Sequence, residues 1–145
     1  MCTKLKSHDR SESMNPFELE ALKSHPDTKG PVYMVNLVKY REKSLDGDGS
    51  GRDAYNRYAA VARPLLESLG AVIIWVGSVE HLALHEGGDV DWDVVQLVYY
   101  PSRDTFIEMV TSEEYLAANE HRANGTEKHL IFATKTMISN PFPEK

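Results

Sequence analysis

Asn36 and Gln96 are amides set inside runs otherwise made largely of apolar and β-branched residues, Val32 to Val38 and Asp93 to Tyr100. An interior amide either bonds to neighbouring backbone or to a second subunit, or is offered to a ligand. In the second case Asn36 is a candidate catalytic group that orients or polarises an oxygen, and Gln96 a candidate substrate contact. Tyr58 stands on the inner stripe of a helical pattern, where its ring packs and its hydroxyl needs a partner. Trp75 is a strand aromatic, read as core, as dimer contact or as the wall of a ligand pocket. Arg122 can aim a planar fork at a carboxylate of the protein or of a substrate. Its neighbour His121 is the imidazole placed to move a proton. Arg103, in the first turn of a predicted helix, opposes the helix dipole and is expected to take an acidic partner.

Metal chemistry finds less support. Asp46, Asp48, Ser50 and Gly51 fall on the first, third, fifth and sixth positions of a calcium loop, but the position of the bidentate Glu is held by Arg57. His81 and His85 have the spacing of a helical metal pair, yet they sit in or just after a predicted strand, where they would stand ~13 Å apart. His8, His25 and His129 fall near element ends or in the tail and read as solvated imidazoles. No phosphate loop, dinucleotide glycine pattern or nucleophile elbow occurs. No cofactor and no metal are expected.

The elements that position these residues are read from periodicity and punctuation. Residues 1–13 are polar and aperiodic, which predicts a disordered tail. Asn15, Pro16 and Glu18 carry the signature of a helix start, with Met14 and Leu19 as a hydrophobic staple, and Pro26 ends that short helix. Val32 to Val38 predicts a buried strand. Arg41 to Arg52 predicts a loop, followed by a helix from Asp53 as cap to Leu69, kinked at Pro64 and ended by Gly70. Ala71 to Val79 predicts a second strand, extending toward Leu84, and Asp93 to Tyr100 a third. Ser102 caps a helix through Val110. Thr111 and Glu114 suggest a capping box for a further helix carrying Tyr115, Asn119 and Arg122, and His129 to Thr136 predicts the last strand.

Sixteen basic residues against twenty-two acidic ones give a net charge of −6, which disfavours nucleic acid and anionic membrane surfaces as partners. A length of 145 residues with 41% hydrophobic content fits one globular domain. The lone Cys2 permits no internal disulfide and fits a reducing compartment. No run is long enough to span a bilayer, and the start MCTKLKSHDRSES lacks a secretory apolar stretch, so a cytoplasmic location is expected.

Leaving the short N-terminal helix aside, the order strand, helix, strand, strand, helix, strand predicts an α+β, ferredoxin-like βαββαβ antiparallel sheet with helices on one face. The strands are apolar on both parities, with Tyr33, Val35 and Leu37 opposite Val32, Met34 and Val38. A second layer must therefore cover the other face, and a second copy of the chain, packed sheet to sheet, supplies it.

The phrases Met34-Val35-Asn36-Leu37-Val38-Lys39-Tyr40, Tyr55-Asn56-Arg57-Tyr58 and Tyr100-Pro101-Ser102-Arg103-Asp104-Thr105-Phe106-Ile107-Glu108-Met109-Val110 resemble the family catalogued as domain of unknown function 1330. Glu114-Tyr115, then Arg122 and a closing strand, extend the resemblance over residues 14–137. It implies a dimeric α+β barrel, places Arg103 and Arg122 in the family pattern, and assigns no common reaction. The superfamily it points to includes cofactor-independent monooxygenases, lactone isomerases and haem enzymes, and no clear axial histidine supports haem. The expectation is then a single domain over 14–137 with an extended tail over 138–145. It is a cytoplasmic homodimer binding a small, partly apolar molecule through Asn36, Tyr58, Trp75, Gln96 and Arg122, with His121 as proton carrier, in monooxygenase- or isomerase-like chemistry. The alternative is a homodimeric binding or assembly module without catalysis.

Overall fold

A computed structural model describes residues 16–143. The expectations for the tail 1–13, with Cys2 and His8, and for Met14 and Asn15 fall outside the described residues. The elements are α1 (Leu19–Lys23), β1 (Val32–Tyr40), α2 (Gly51–Ser68), β2 (Val72–Ser78), β3 (Val94–Tyr100), α3 (Arg103–Val110), α4 (Glu113–Gly125) and β4 (Thr126–Thr134).

The strands form one antiparallel sheet in the order β2-β3-β1-β4, the ferredoxin-like arrangement, with the helices packed on one face. The barrel implied by the family resemblance needs correcting. The sheet is open, because β2 and β4 are each paired on one side only and do not meet.

Register sorts the side chains into two faces. Val32, Met34, Asn36 and Val38 of β1 stand opposite Tyr100, Val98, Gln96 and Val94 of β3, and this set is turned toward the helices, where the core lies. Tyr33, Val35 and Leu37 stand opposite Tyr99, Leu97 and Val95 on the other face, which no element among the described residues covers. Phe132 and Leu130 of β4 share that bare face and are 52% and 45% exposed. A sheet with one solvated face ordinarily alternates apolar with polar residues. This one does not.

The helix starts differ from expectation in instructive ways. The cap of α2 is Ser50, whose side chain accepts from the Asp53 backbone N–H while Asp53 returns a bond to the Ser50 N–H. Asp53 is thus the third residue of a reciprocal box rather than the cap, and the predicted loop ends at Ser50. The helix runs on through Pro64. Ser112, not Thr111, caps α4, because Thr111 closes α3 with its hydroxyl on the Ile107 carbonyl. β4 begins at Thr126, directly after α4, so His129 lies inside the strand rather than at its edge. At the start of α2 and the end of α4, Gly51 and Gly125 let two backbones touch: the Arg41 N–H donates to the Gly125 carbonyl at 2.8 Å and the Gly51 N–H to the Arg41 carbonyl at 3.1 Å. A Cβ on either glycine would collide with main-chain oxygen.

Candidate functional site

Between α2, α3 and the helix-facing side of the sheet lies a cavity of about 610 Å³. Its apolar wall comes from Met34, Ala62, Leu66, Val98, Phe106 and Met109. Its polar character comes from five tyrosines, Tyr40, Tyr55, Tyr58, Tyr100 and Tyr115, together with the amides Asn36, Asn56 and Gln96. Helical spacing puts Tyr55 and Tyr58 on one face of α2, and strand parity puts Tyr100 on the same side of β3 as Gln96. The rings pack edge to face or tilted, with centroids 5.2 Å apart for Tyr55 and Tyr58 and 5.7 Å for Tyr58 and Tyr115.

The hydroxyls are connected in part. Tyr58 and Tyr115 share a hydrogen bond of 2.8 Å, and Gln96 Nε2 donates to the Tyr55 hydroxyl at 3.2 Å. Tyr100 is buried, and its hydroxyl has no hydrogen-bond partner among the described residues although its oxygen is not sealed off. Burial pushes all five phenols above their ordinary range, so they remain protonated at neutral pH. The charged groups of the lining, Arg52, Arg63 and Asp93, occupy solvent-exposed or half-exposed positions. Inside, the cavity therefore offers dipoles and hydroxyls without an ionised group.

The orientation of Asn36 follows from a buried chain of bonds. Arg122 Nε donates to Asn119 Oδ1 at 2.7 Å, and Arg122 Nη1 lies 3.2 Å from His129 Nδ1. A guanidinium only donates, so His129 Nδ1 must accept and the ring proton sits on Nε2. Nε2 then donates to Asn36 Oδ1 at 2.9 Å. With its oxygen taken, Asn36 keeps its NH₂ group for the Met34 carbonyl at 3.4 Å and for the cavity. Desolvation, reinforced by the Arg122 charge, pushes the His129 pKa down to about 3, which keeps the imidazole neutral and the chain intact at physiological pH. The reading of His129 as a solvated imidazole is corrected accordingly.

Of the residues singled out from the sequence, Asn36, Gln96 and Tyr58 meet in this cavity. Arg122 touches it only through His129 and Asn36. Trp75 lies on the bare face of the sheet, with its ring over Gly77, because a bulge between Ile73 and Trp75 flips the parity of β2. His121 lines no part of the cavity. Its Nδ1 is enclosed without a hydrogen-bond partner among the described residues. Arg103 makes no ion pair among the described residues: its Nη1 donates to the Asp27 backbone carbonyl at 3.3 Å, and the Asp27 carboxylate attracts it only through space. In the calcium-like loop Asp46 accepts from the Ser44 hydroxyl and the Asp48 N–H, while Arg57 donates to the Asp48 carbonyl. His81 and His85 are exposed in the segment between β2 and β3, beyond the end of β2 at Ser78. Among the described residues no group of three or more His, Cys, Asp or Glu could hold a metal ion, and no helix is long and apolar enough to cross a membrane.

Comparison with known proteins adds a family. The family model described as domain of unknown function (DUF1330) matches residues 48–136, more than half of the chain. The crystal structure of RPA0582, a protein of unknown function from Rhodopseudomonas palustris, is 28% identical, with a TM-score of 0.77 over 87% of this chain and 98% of that one. The methylated RPA0582 protein is 30% identical, with a TM-score of 0.76 over 88% and 97%. A dimeric protein of unknown function and ferredoxin-like fold from Bacteroides fragilis is 17% identical, with a TM-score of 0.50 over 75% and 99%, a likeness of fold alone. No curated protein matches the chain.

Proposed function

We propose, from the premise that this chain belongs to the family described as domain of unknown function (DUF1330), that it binds a small, uncharged, partly apolar molecule carrying carbonyl or hydroxyl oxygens in the tyrosine-lined cavity. The family assigns no reaction, so the chemistry of the cavity decides. The observation that carries the reading is the Tyr100 hydroxyl: on a buried residue, it has no hydrogen-bond partner among the described residues and opens to a space of about 610 Å³, where a ligand oxygen can meet it. The Asn36 NH₂ and Gln96 Oε1 provide a donor and an acceptor roughly 13 Å along the sheet from Tyr100, a spacing set by four strand residues. A ligand with an apolar body and oxygens at its ends matches this arrangement. An ion does not, because an unpaired charge in such surroundings is strongly disfavoured. Asn36 and Tyr100 are the donors that would polarise a ligand oxygen if a reaction accompanies binding.

The same reading includes a cytoplasmic homodimer formed through the bare face of the sheet. Its support is the apolar set Tyr33, Val35, Leu37, Leu97, Trp75 and Phe132, with Trp75 and Phe132 48% and 52% exposed. Burying such a face removes apolar area from water, the largest favourable contribution to association.

A thermal-shift panel of lactones and quinols tests the ligand reading. The expected result is stabilisation of the wild type by at least one compound, reduced in Tyr100→Phe and in Gln96→Leu. A panel that leaves the wild type unmoved, or shifts equal in wild type and both variants, defeats it.

A further inference from the structure

Arg103 and Arg122 are the deeply buried cations of the described chain, each 8% exposed. A guanidinium stays charged at any physiological pH, and a buried charge is costly unless a counter-charge or a full set of acceptors meets it. Neither has a carboxylate at ion-pair distance among the described residues. Arg122 is met by the Asn119 oxygen, a His129 lone pair and the face of the Phe17 ring at 5.9 Å, all dipolar and none charged. Its Nη2 has no acceptor among the described residues. Arg103 is met by one backbone carbonyl, that of Asp27. The Asp27 carboxylate is hydrogen-bonded to the N–H groups of Lys29 and Gly30 and attracts Arg103 through space without pairing with it, and Asp104 is held by Lys29 at 2.8 Å. Arg103 also opens α3, where the helix dipole adds to its charge rather than offsetting it.

Both guanidinium groups line one cavity of about 720 Å³, between α1 and the β4 side of the molecule. Phe17, Met34, Phe106 and Ile131 line this cavity and the tyrosine cavity alike and form the partition between them. Leu22 and Ala133 add to its apolar wall. The remaining charges do not neutralise the arginines: Lys128 is spent on Asp89 at 2.6 Å, Arg41 adds a further cation, and Glu18 and Glu127 are exposed without an ion pair to either arginine.

We propose that this second cavity binds a small carboxylic acid with an apolar body, its carboxylate held by Arg103 and Arg122 and its body against Phe17, Leu22 and Phe106. Two guanidinium groups supply the planar donors that a carboxylate accepts, and the carbon wall supplies what a bare inorganic anion cannot use. The site is separate from the tyrosine cavity and does not depend on the function proposed for it.

The test is isothermal titration of the full chain, in chloride-poor buffer near neutral pH, with benzoate, hexanoate and inorganic phosphate. Expected is saturable binding of benzoate or hexanoate at one per chain, with phosphate much weaker. Arg103→Gln, whose native side chain makes a single bond to backbone, should weaken the carboxylate at least about tenfold, and Arg122→Lys should do likewise. Tyr100→Phe should leave carboxylate affinity unchanged. As a readout free of any variant, the Nε–H resonances of Arg103 and Arg122 in the wild type should move on saturation with benzoate. No heat from either carboxylate, unchanged affinity in a folded Arg103→Gln, phosphate binding as tightly as benzoate, or unmoved arginine resonances each overturns the proposal.

Discussion

His129 gives the sharpest quantitative prediction. Its ring is neutral in the folded chain with a pKa near about 3, against 6.5 when free. The unfolded chain therefore binds more protons at every pH between those values, so stability is fully present above the unfolded pKa and is lost as pH falls toward the folded one. At about 1.36 kcal/mol per pKa unit, lowering the pH from about 7.5 to about 5 should remove about 2 kcal/mol through this one group. The assay is urea unfolding of the wild type and of His129→Gln at both pH values. Carboxylates contribute to both proteins alike, so the difference between them isolates the imidazole. The stability advantage of the wild type should shrink by about 2 kcal/mol at the lower pH. An advantage that stays constant or grows on acidification would refute the reasoning, as would a His129 ring resonance titrating near its free value.

Two further outcomes test the supports of the site. Ser50→Ala removes one half of the reciprocal cap of α2, the helix that carries Tyr55 and Tyr58, and should lower stability by about 1 kcal/mol in urea unfolding, with no change in fold by circular dichroism. If the bare face joins two chains, sedimentation equilibrium should give twice the 16.3 kDa chain mass for the wild type and the single mass for Phe132→Glu, whereas a wild type sedimenting as one chain would contradict the dimer.

Strand existence was legible because apolar runs bounded by Gly and Pro leave little choice, and the two-sided character of β1 and β3 marked a face that the described residues leave bare. The barrel was not legible. It came from the family resemblance, whereas pairing within one chain leaves β2 and β4 as edges. Asn36 and Gln96 stood out because an amide inside an apolar run is chemically conspicuous. Tyr55, Tyr100 and Tyr115 were missed because a tyrosine on a buried parity reads as packing, and only the folded register brings these rings to one cavity. A parity count along β3 would have placed Tyr100 with Gln96. Trp75, read as core, dimer contact or pocket wall, stands on the bare face because of a bulge that leaves no mark in composition. His129 was misread because β4 was started three residues late, which moved a mid-strand ring to a strand end. Asn119 and Arg122, three apart on α4, carried the local signal of a bonded pair.

The two cavities are joined by one chain of bonds that can run in one direction only. Arg122 cannot accept, so it forces His129 to accept at Nδ1 and to donate at Nε2, and this in turn forces Asn36 to present its amide protons. The guanidinium bordering one cavity thereby sets the polarity of a contact in the other, and the setting holds only while His129 stays neutral. Two causes keep it neutral, desolvation first and the Arg122 charge second. A negative charge placed against Arg122 offsets the second cause and leaves the first, and since desolvation is the larger, the imidazole remains unprotonated and the direction of the chain is preserved. Occupation of the arginine cavity would thus leave the direction of the grip on Asn36 unchanged, while giving Arg122 Nη2 the acceptor that the described residues do not supply.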